Sequence, residues 1–267
     1  PGNSGGPLIN LRGEIIGINN HIFTGTGGYQ GIGFAIPANT ARQVLESVIQ
    51  RGRVVRAYLG VVLQELTPEL AEQFNAPAGR GALIAEVAAD SPAEKAGLRS
   101  GDILLGVNGK EVKDVLQLRN RIGQLGVGSE AKLSVLRSGK ETEILATIAE
   151  APANLESGFR RRPAPSAPQA PETESPLAGI SVRELTPAVI RELELPSDTT
   201  GVVVSRVAPD SPAARSLQPG DVIEEINREA IRSASDFEEA VAALPSDERV
   251  MLFINRRGAR SFVVVTP

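Results

Sequence analysis

Glycines bracket a serine near the start of the sequence, in Gly2-Asn3-Ser4-Gly5-Gly6-Pro7-Leu8. They let the backbone turn tightly, so that the Ser4 hydroxyl stands clear while the amides of Gly2 and Ser4 can converge on one oxygen. That arrangement suits acyl transfer. Taken alone, the same run reads equally well as a structural turn. A serine nucleophile also needs a positioned base. The sequence offers one histidine, His21, and no aspartate before Asp90. His21 reads as a wall or surface residue, and no compensating triad is in sight.

Composition excludes several other chemistries. With no cysteine there is no disulfide, thiol catalysis or cysteine-ligated metal, and a single histidine leaves too few nitrogen ligands for a zinc site. No cofactor or metal is implied. Two tyrosines, seven phenylalanines, no tryptophan and a net charge of −4 in 267 residues argue against stacking platforms or a phosphate-neutralising surface, hence against nucleic acid. The longest uncharged stretch, 15–41, is broken by Asn19, Asn20, His21, Gln30 and several glycines, so no membrane span is expected. The sequence does not open on methionine, and its first residues read as the middle of a domain.

The serine needs strands around it. Leu8 to Asn10 and Glu14 to Asn19 flank the turn Leu11-Arg12-Gly13, and Gly31 to Ile36 supplies a third strand. A helix capped by Asn39 or Thr40 carries Ala41, Val44, Leu45, Val48 and Ile49 on one face and closes at Gly52. This piece, 1–57, is small for an independent core.

The remainder is a repeat. Glu65-Leu66-Thr67-Pro68 recurs as Glu184-Leu185-Thr186-Pro187, Asp90-Ser91-Pro92-Ala93 as Asp210-Ser211-Pro212-Ala213, and Gly101-Asp102 with Asn108 as Gly220-Asp221 with Asn227. Two similar modules therefore occupy 58–150 and 177–267. Between them 151–176, with six prolines, five alanines and Arg160-Arg161-Arg162, reads as a linker that leaves the modules free to move. Each module combines β-rich runs (Leu83 to Val87, Val202 to Val207), hairpin turns at Asn108-Gly109 and Ser138-Gly139, and two helices. The first helix opens with the capping box Ser91-Pro92-Ala93-Glu94. The longer one runs from about Asp114, and its counterpart is expected to start at Ser235-Asp236-Phe237-Glu238. Arg256-Arg257-Gly258 reads as a solvated turn. The fold class is mainly β, with α+β modules.

GNSGGPLINLRGEIIGIN followed by GIGFAIP resembles the C-terminal end of the protease domain of the HtrA (Deg) family of trypsin-fold serine endopeptidases, and the two modules resemble its PDZ domains. The resemblance implies a C-terminal fragment of a trypsin-like double β-barrel followed by two PDZ domains. It implies Ser4 as nucleophile, the Gly2 and Ser4 amides as oxyanion hole, and Asn20-His21-Ile22 as the strand beside a bound substrate. The family's base and orienting carboxylate lie upstream of its serine and have no counterpart here. In the modules, Tyr58-Leu59-Gly60-Val61 and Leu177-Ala178-Gly179-Ile180 match the carboxylate-binding loop, where successive amides hold a peptide terminus while the following strand adds the peptide as a new strand. An apolar pocket would be lined by Val115, Leu118 and Ile122, although each of these also reads as plain core. Ala178, where the first module has Leu59, and the adjacent Pro176 leave ligand binding by the second module open, with assembly as its other use.

The implied function is a periplasmic endopeptidase degrading misfolded or unfolded envelope proteins. PDZ capture of peptide C-termini and homo-oligomers of three or more subunits belong to the same expectation. The rival is a non-catalytic tandem-PDZ peptide-binding protein.

Overall fold

The computed structural model describes residues 2–23, 31–77, 79–152, 176–196, 198–245 and 247–267. It divides into two compact units, Pro1–Arg56 and Ala57–Pro267. The expected linker lies almost wholly outside the described residues.

In the first unit, β1 (Pro7–Ile9), β2 (Ile15–Ile22) and β3 (Gly33–Pro37) form an antiparallel sheet in that order. The β1–β2 turn is shaped by Asn10, whose Oδ1 accepts from the amides of Arg12 and Glu14 at 2.9 and 3.0 Å. Helix α1 (Ala38–Arg51) starts earlier than its sequence predicts: Pro37 occupies the cap position and has no side-chain acceptor to offer, so Asn39 and Thr40 sit inside the first turn. Its end is as expected, with Gly52 in the left-handed region donating to the Val48 carbonyl at 2.9 Å. No residue of α1 is buried, and Ile49 on its apolar stripe is 74% exposed.

The second unit holds both modules. In the first, β4 (Ala57–Tyr58) leads into β5 (Val61–Glu65), α2 (Pro68–Gln73), β6 (Ala82–Val87), α3 (Pro92–Lys95), β7 (Ile103–Val107) and β8 (Lys110–Glu111). Then come α4 (Val115–Gly123), β9 (Glu130–Arg137), β10 (Lys140–Thr147) and β11 (Ala149–Glu150). The second repeats this plan with β12 (Ile180–Glu184), α5 (Pro187–Glu192), β13 (Val202–Val207), a 3-10 helix at Pro212–Arg215, β14 (Val222–Ile226) and β15 (Glu229–Ala230). It ends with α6 (Ala234–Ala242), β16 (Val250–Arg256) and β17 (Ala259–Val265). The sheets run β10-β9-β7-β6-β5 and β12-β13-β14-β16-β17, so β5 and β12 are edge strands, each beside the longer helix of its module. β4 pairs with β11 and closes the first module's ends together.

The turns follow their residues: Asn108 and Gly109 at φ 51° and 72°, and Ser138 and Gly139 at 48° and 75°, are left-handed pairs that reverse the chain between paired strands. Two caps differ from expectation. Glu94 returns its carboxylate to the amide of Asp90 at 2.7 Å, one residue before Ser91, while Ser91 Oγ accepts from Glu94 N as expected. The capping box of α6 is Ser233 with Asp236, because Ser233 has the extended backbone a cap needs and Ser235 already lies in the first turn.

Each sheet packs one face on its own core, around Leu104, Leu118 and Leu133 in the first module and Ile223, Ile231 and Leu252 in the second. Part of the opposite face of the first sheet is covered as well, while Lys132, Glu143 and Leu145 toward its hairpin stay exposed. Leu70, Phe74, Leu83, Ile103, Leu105 and Leu136 bury themselves against Met251, Phe253 and Phe262 of the β16–β17 hairpin. The expectation of freely moving modules therefore gives way to a shared apolar layer. Phe262 meets Phe74 edge-on at 5.2 Å and Phe253 at 4.5 Å between ring centres.

Candidate functional site

Ser4 lies in the turn before β1, held by bonds to β2: Gly5 N donates to Asn19 O at 2.8 Å and Asn19 N to Gly6 O at 2.9 Å. Gly2 and Gly5 take φ values of 96° and 83°, which side chains resist. Among the described residues neither the Gly2 nor the Ser4 amide has an acceptor. The Ser4 hydroxyl donates to the carbonyl of Asn20 at 2.7 Å. A carbonyl holds the hydroxyl but cannot take its proton. Asn20 faces the turn because the β2–β3 register slips between Asn19 and His21. His21 pairs across the sheet with Phe34 and stacks on its ring at 4.6 Å between centres, while Ile22 pairs with Gly33. The structure thus brings Ser4 together with Asn20 and engages the His21 ring on Phe34.

In the first module the Tyr58–Val61 loop is built from behind. Leu59 is buried, its carbonyl accepting from Ala93 N at 2.8 Å, and the Gly60 carbonyl accepts from Ala88 N at 2.9 Å. With both carbonyls engaged, the Leu59 and Gly60 amides have no acceptor among the described residues. Gly60 sits at φ 88°, and a side-chain carbon there would overlap Ser91. The second module copies this: Ser211 Oγ donates to Ala178 O at 2.5 Å, Ala208 N to Gly179 O at 2.8 Å, and the Ala178 and Gly179 amides lack acceptors among the described residues. Ala178 leaves no gap where Leu59 stands in the first module, because Leu177, one residue earlier, fills the core instead. Ile180 N turns back to Leu177 O at 3.4 Å. Successive amides without an acceptor are the kind of arrangement that can hold an anion.

Each edge strand lies against the longer helix of its module. Val61 and Leu63 of β5 lean on the core that α4 covers. On α4, Leu118 is fully buried core, whereas Val115 and Ile122 keep slight exposure. A repeated carboxylate that sequence reasoning missed joins each edge strand to its helix. Glu65 at the end of β5 accepts from Val115 N at 3.5 Å, and Glu184 at the end of β12 from Ala234 N at 2.8 Å, each tying an edge strand to the start of the neighbouring helix. The repeated Glu-Leu-Thr-Pro was its signal.

A second missed pair stands behind the loops. Asp102 is buried and takes both Arg137 Nε and Nη2 at 2.7 Å, while Arg137 also donates to Gly97 O at 2.7 Å. Asp221 and Arg256 repeat this at 2.7 Å, with Arg256 donating to Ser216 O at 3.0 Å. Arg256 is therefore a clamp on a buried carboxylate; only Arg257 and Gly258 make the turn. These hydrogen bonds to aspartate raise both guanidinium pKa values above the usual arginine range. Each arginine thereby anchors the end of the short helix whose start holds the amide loop. The equal Asp-to-Arg spacing in both repeats was readable.

Among the described residues no helix is long and apolar enough to cross a membrane, and no cluster of His, Cys, Asp or Glu could hold a metal. Family models match as PDZ domains at 57–148 and 203–256 and as Trypsin at 1–45. Among curated proteins, a probable periplasmic serine endoprotease, DegP-like, from Pseudomonas fulva (strain 12-X) is 41% identical over 264 residues, covering 98% of this chain and 53% of the relative. A DegP-like protein of the same description from Chlamydia muridarum (strain MoPn / Nigg) is also 41% identical, covering 99% and 50%. The chain spans about half the length of the curated relatives it matches. Among solved structures, HtrA-type protease AlgW with a tripeptide is 41% identical with a TM-score of 0.51, over 57% of this chain and 50% of that one. AlgW with a decapeptide gives 41% and 0.50, over 57% and 47%. The resemblance to HtrA/Deg serine endopeptidases thus extends over nearly the whole chain.

Proposed function

We propose that this chain, a relative of the HtrA/Deg serine endopeptidases along nearly all its length, is the nucleophile-bearing and peptide-binding part of a periplasmic endoprotease that degrades misfolded envelope proteins. The observation that carries the reading is the coincidence, twice, of two amides without an acceptor among the described residues and an adjacent edge strand. Such a site receives a peptide carboxylate at the amides and the preceding residues as an added strand, by main-chain bonds that accept many sequences. Ser4 would attack the scissile carbonyl and the Gly2 and Ser4 amides would stabilise the oxyanion. The proton must go to a base from outside these 267 residues, since Ser4 Oγ is given to Asn20 O and the only histidine ring stacks on Phe34. Unfolded polypeptides and peptide C-termini are the partners this chemistry fits, and the family resemblance supports trimers or larger assemblies.

A second reading, a peptide-binding tandem-PDZ protein without catalysis, is favoured by that same Ser4 hydrogen bond. Casein hydrolysis separates the two. We expect none from this chain, and activity from a version extended upstream through the rest of the barrel that disappears in Ser4→Ala. Activity of the short chain, lost in Ser4→Ala, would overturn the assignment of an external base; an inactive extended protein would leave the binding reading.

A further inference from the structure

The two modules share a plan but differ systematically on the surfaces that meet. At the positions of Leu105 and Leu136 on the first sheet's outer face, the second module has Glu224 and Asn255, both buried with Thr199 in a polar cluster that includes Arg260. Conversely, where the second hairpin presents Met251, Phe253, Phe262 and Val264, the first presents Lys132, Ser134, Glu143 and Leu145, with Lys132 and Glu143 paired at 2.8 Å. Each face is composed for one role: the second hairpin covers the first sheet, and the reverse docking would bury charge. The rim agrees, with Arg249 on Glu72, Arg260 3.7 Å from Glu86, and Arg228 4.6 Å above the Phe74 ring.

One contact reaches the groove. Gln64 lies on β5 beside Leu63, which packs on the core that α4 covers, and it meets the backbone of Phe262 twice: Nε2 donates to Phe262 O at 2.6 Å and Phe262 N donates to Oε1 at 2.9 Å. β5 is an edge strand, bonded to a neighbour strand on β6 alone. A second attachment therefore removes freedom that a peptide would otherwise have to remove on binding.

We propose that the second module is a brace for the first module's ligand strand, with Gln64 the positioning residue that transmits it, so that peptide affinity at the first groove depends on the docked β16–β17 hairpin. This rests on the peptide-binding reading above. The test uses the whole 267-residue chain, 15N-labelled and titrated with a heptapeptide ending in apolar residues and a free carboxylate. Amide shifts at Gly60 and Val61 report the first groove, and those at Gly179 and Ile180 the second. We expect Gln64→Ala to weaken the first groove about fivefold with the melting temperature nearly unchanged, and Gln64→Glu, which keeps the acceptor but loses the donor, to fall between. The triple variant Met251→Lys, Phe253→Ser, Phe262→Glu, which gives the second hairpin the residues with which the first already folds, should weaken it about tenfold or more and leave the second groove alone. Equal first-groove affinity in the wild type, Gln64→Ala and the triple variant overturns the brace. Absence of binding at either groove of the wild type overturns the peptide reading itself, and the brace with it.

Discussion

Two arginines and two glycines fix the loops before β5 and β12. Arg137 neutralises Asp102, a carboxylate only 1% exposed, and ties it to the carbonyl that ends α3. Removing the cation alone leaves a buried charge. Arg137→Met should therefore cost about 3 kcal/mol in urea unfolding, while the double change Arg137→Met with Asp102→Leu should recover much of that loss. Gly60→Ala acts differently, since the new carbon would overlap Ser91 at a φ that alanine resists. It should abolish peptide shifts at the first groove while leaving those at Gly179 and Ile180 in place, which the same NMR titration reads. Under the proposed function, the Ser4 hydroxyl's bond to Asn20 O is the one a base would have to replace.

Helix ends set the elements in place. Asp114 Oδ1 accepts from Gln117 N at 2.6 Å and starts α4 opposite Glu65. Asp114→Ala should destabilise the chain by about 1 kcal/mol, read as a shift of the urea midpoint without a change in slope. In α6 the Asp236 carboxylate accepts from the amides of Arg232 and Ser233, which lowers its pKa. A lowered folded-state value means stabilisation that is present at neutral pH and is lost as pH falls through that value. Asp236→Asn should accordingly flatten the acid limb of the pH–stability curve, and an unchanged limb would exclude this cap as a source of acid sensitivity.

At the scale of the whole molecule, the buried apolar core lies entirely beyond Arg56 among the described residues. Amide exchange should then be fast throughout β1–β3 and slow in β7 and β14, and comparable protection in β2 would contradict this division. Between the modules, Glu86 faces Arg260 with Glu224 and Asp198 nearby, and burial raises its pKa despite the arginine. A carboxylate with a raised value contributes stability below its ordinary pKa, and that contribution is lost as pH rises through the raised one. Glu86→Gln should hence melt no lower than the wild type at pH 7 and remove part of the wild type's gain on acidification toward the ordinary carboxylate pKa.

The repeat, the β-rich runs, the hairpin turns at Asn108-Gly109 and Ser138-Gly139, and the serine turn were all legible in the residues, because each is specified by neighbours in sequence: glycine where φ is positive, apolar alternation where a strand is half buried, Ser or Asp where a helix begins. Both amide loops entered through the family resemblance, and the structure gives their glycines positive φ. The start of α6 was misread by two residues, since several nearby residues could cap a helix and only the backbone of Ser233 selects one. The Arg137–Asp102 clamp, the Glu65 and Glu184 ties, and above all the layer joining Phe74 to Phe253 and Phe262 needed the tertiary structure. They join residues far apart in the chain, and a phenylalanine on a strand has the same sequence signature whether it faces its own core or the next module. The sequence by itself determined which elements form and which residues could do chemistry; only packing decided that the two modules are one body, because burial between distant faces is a property of the folded surface and not of any local pattern.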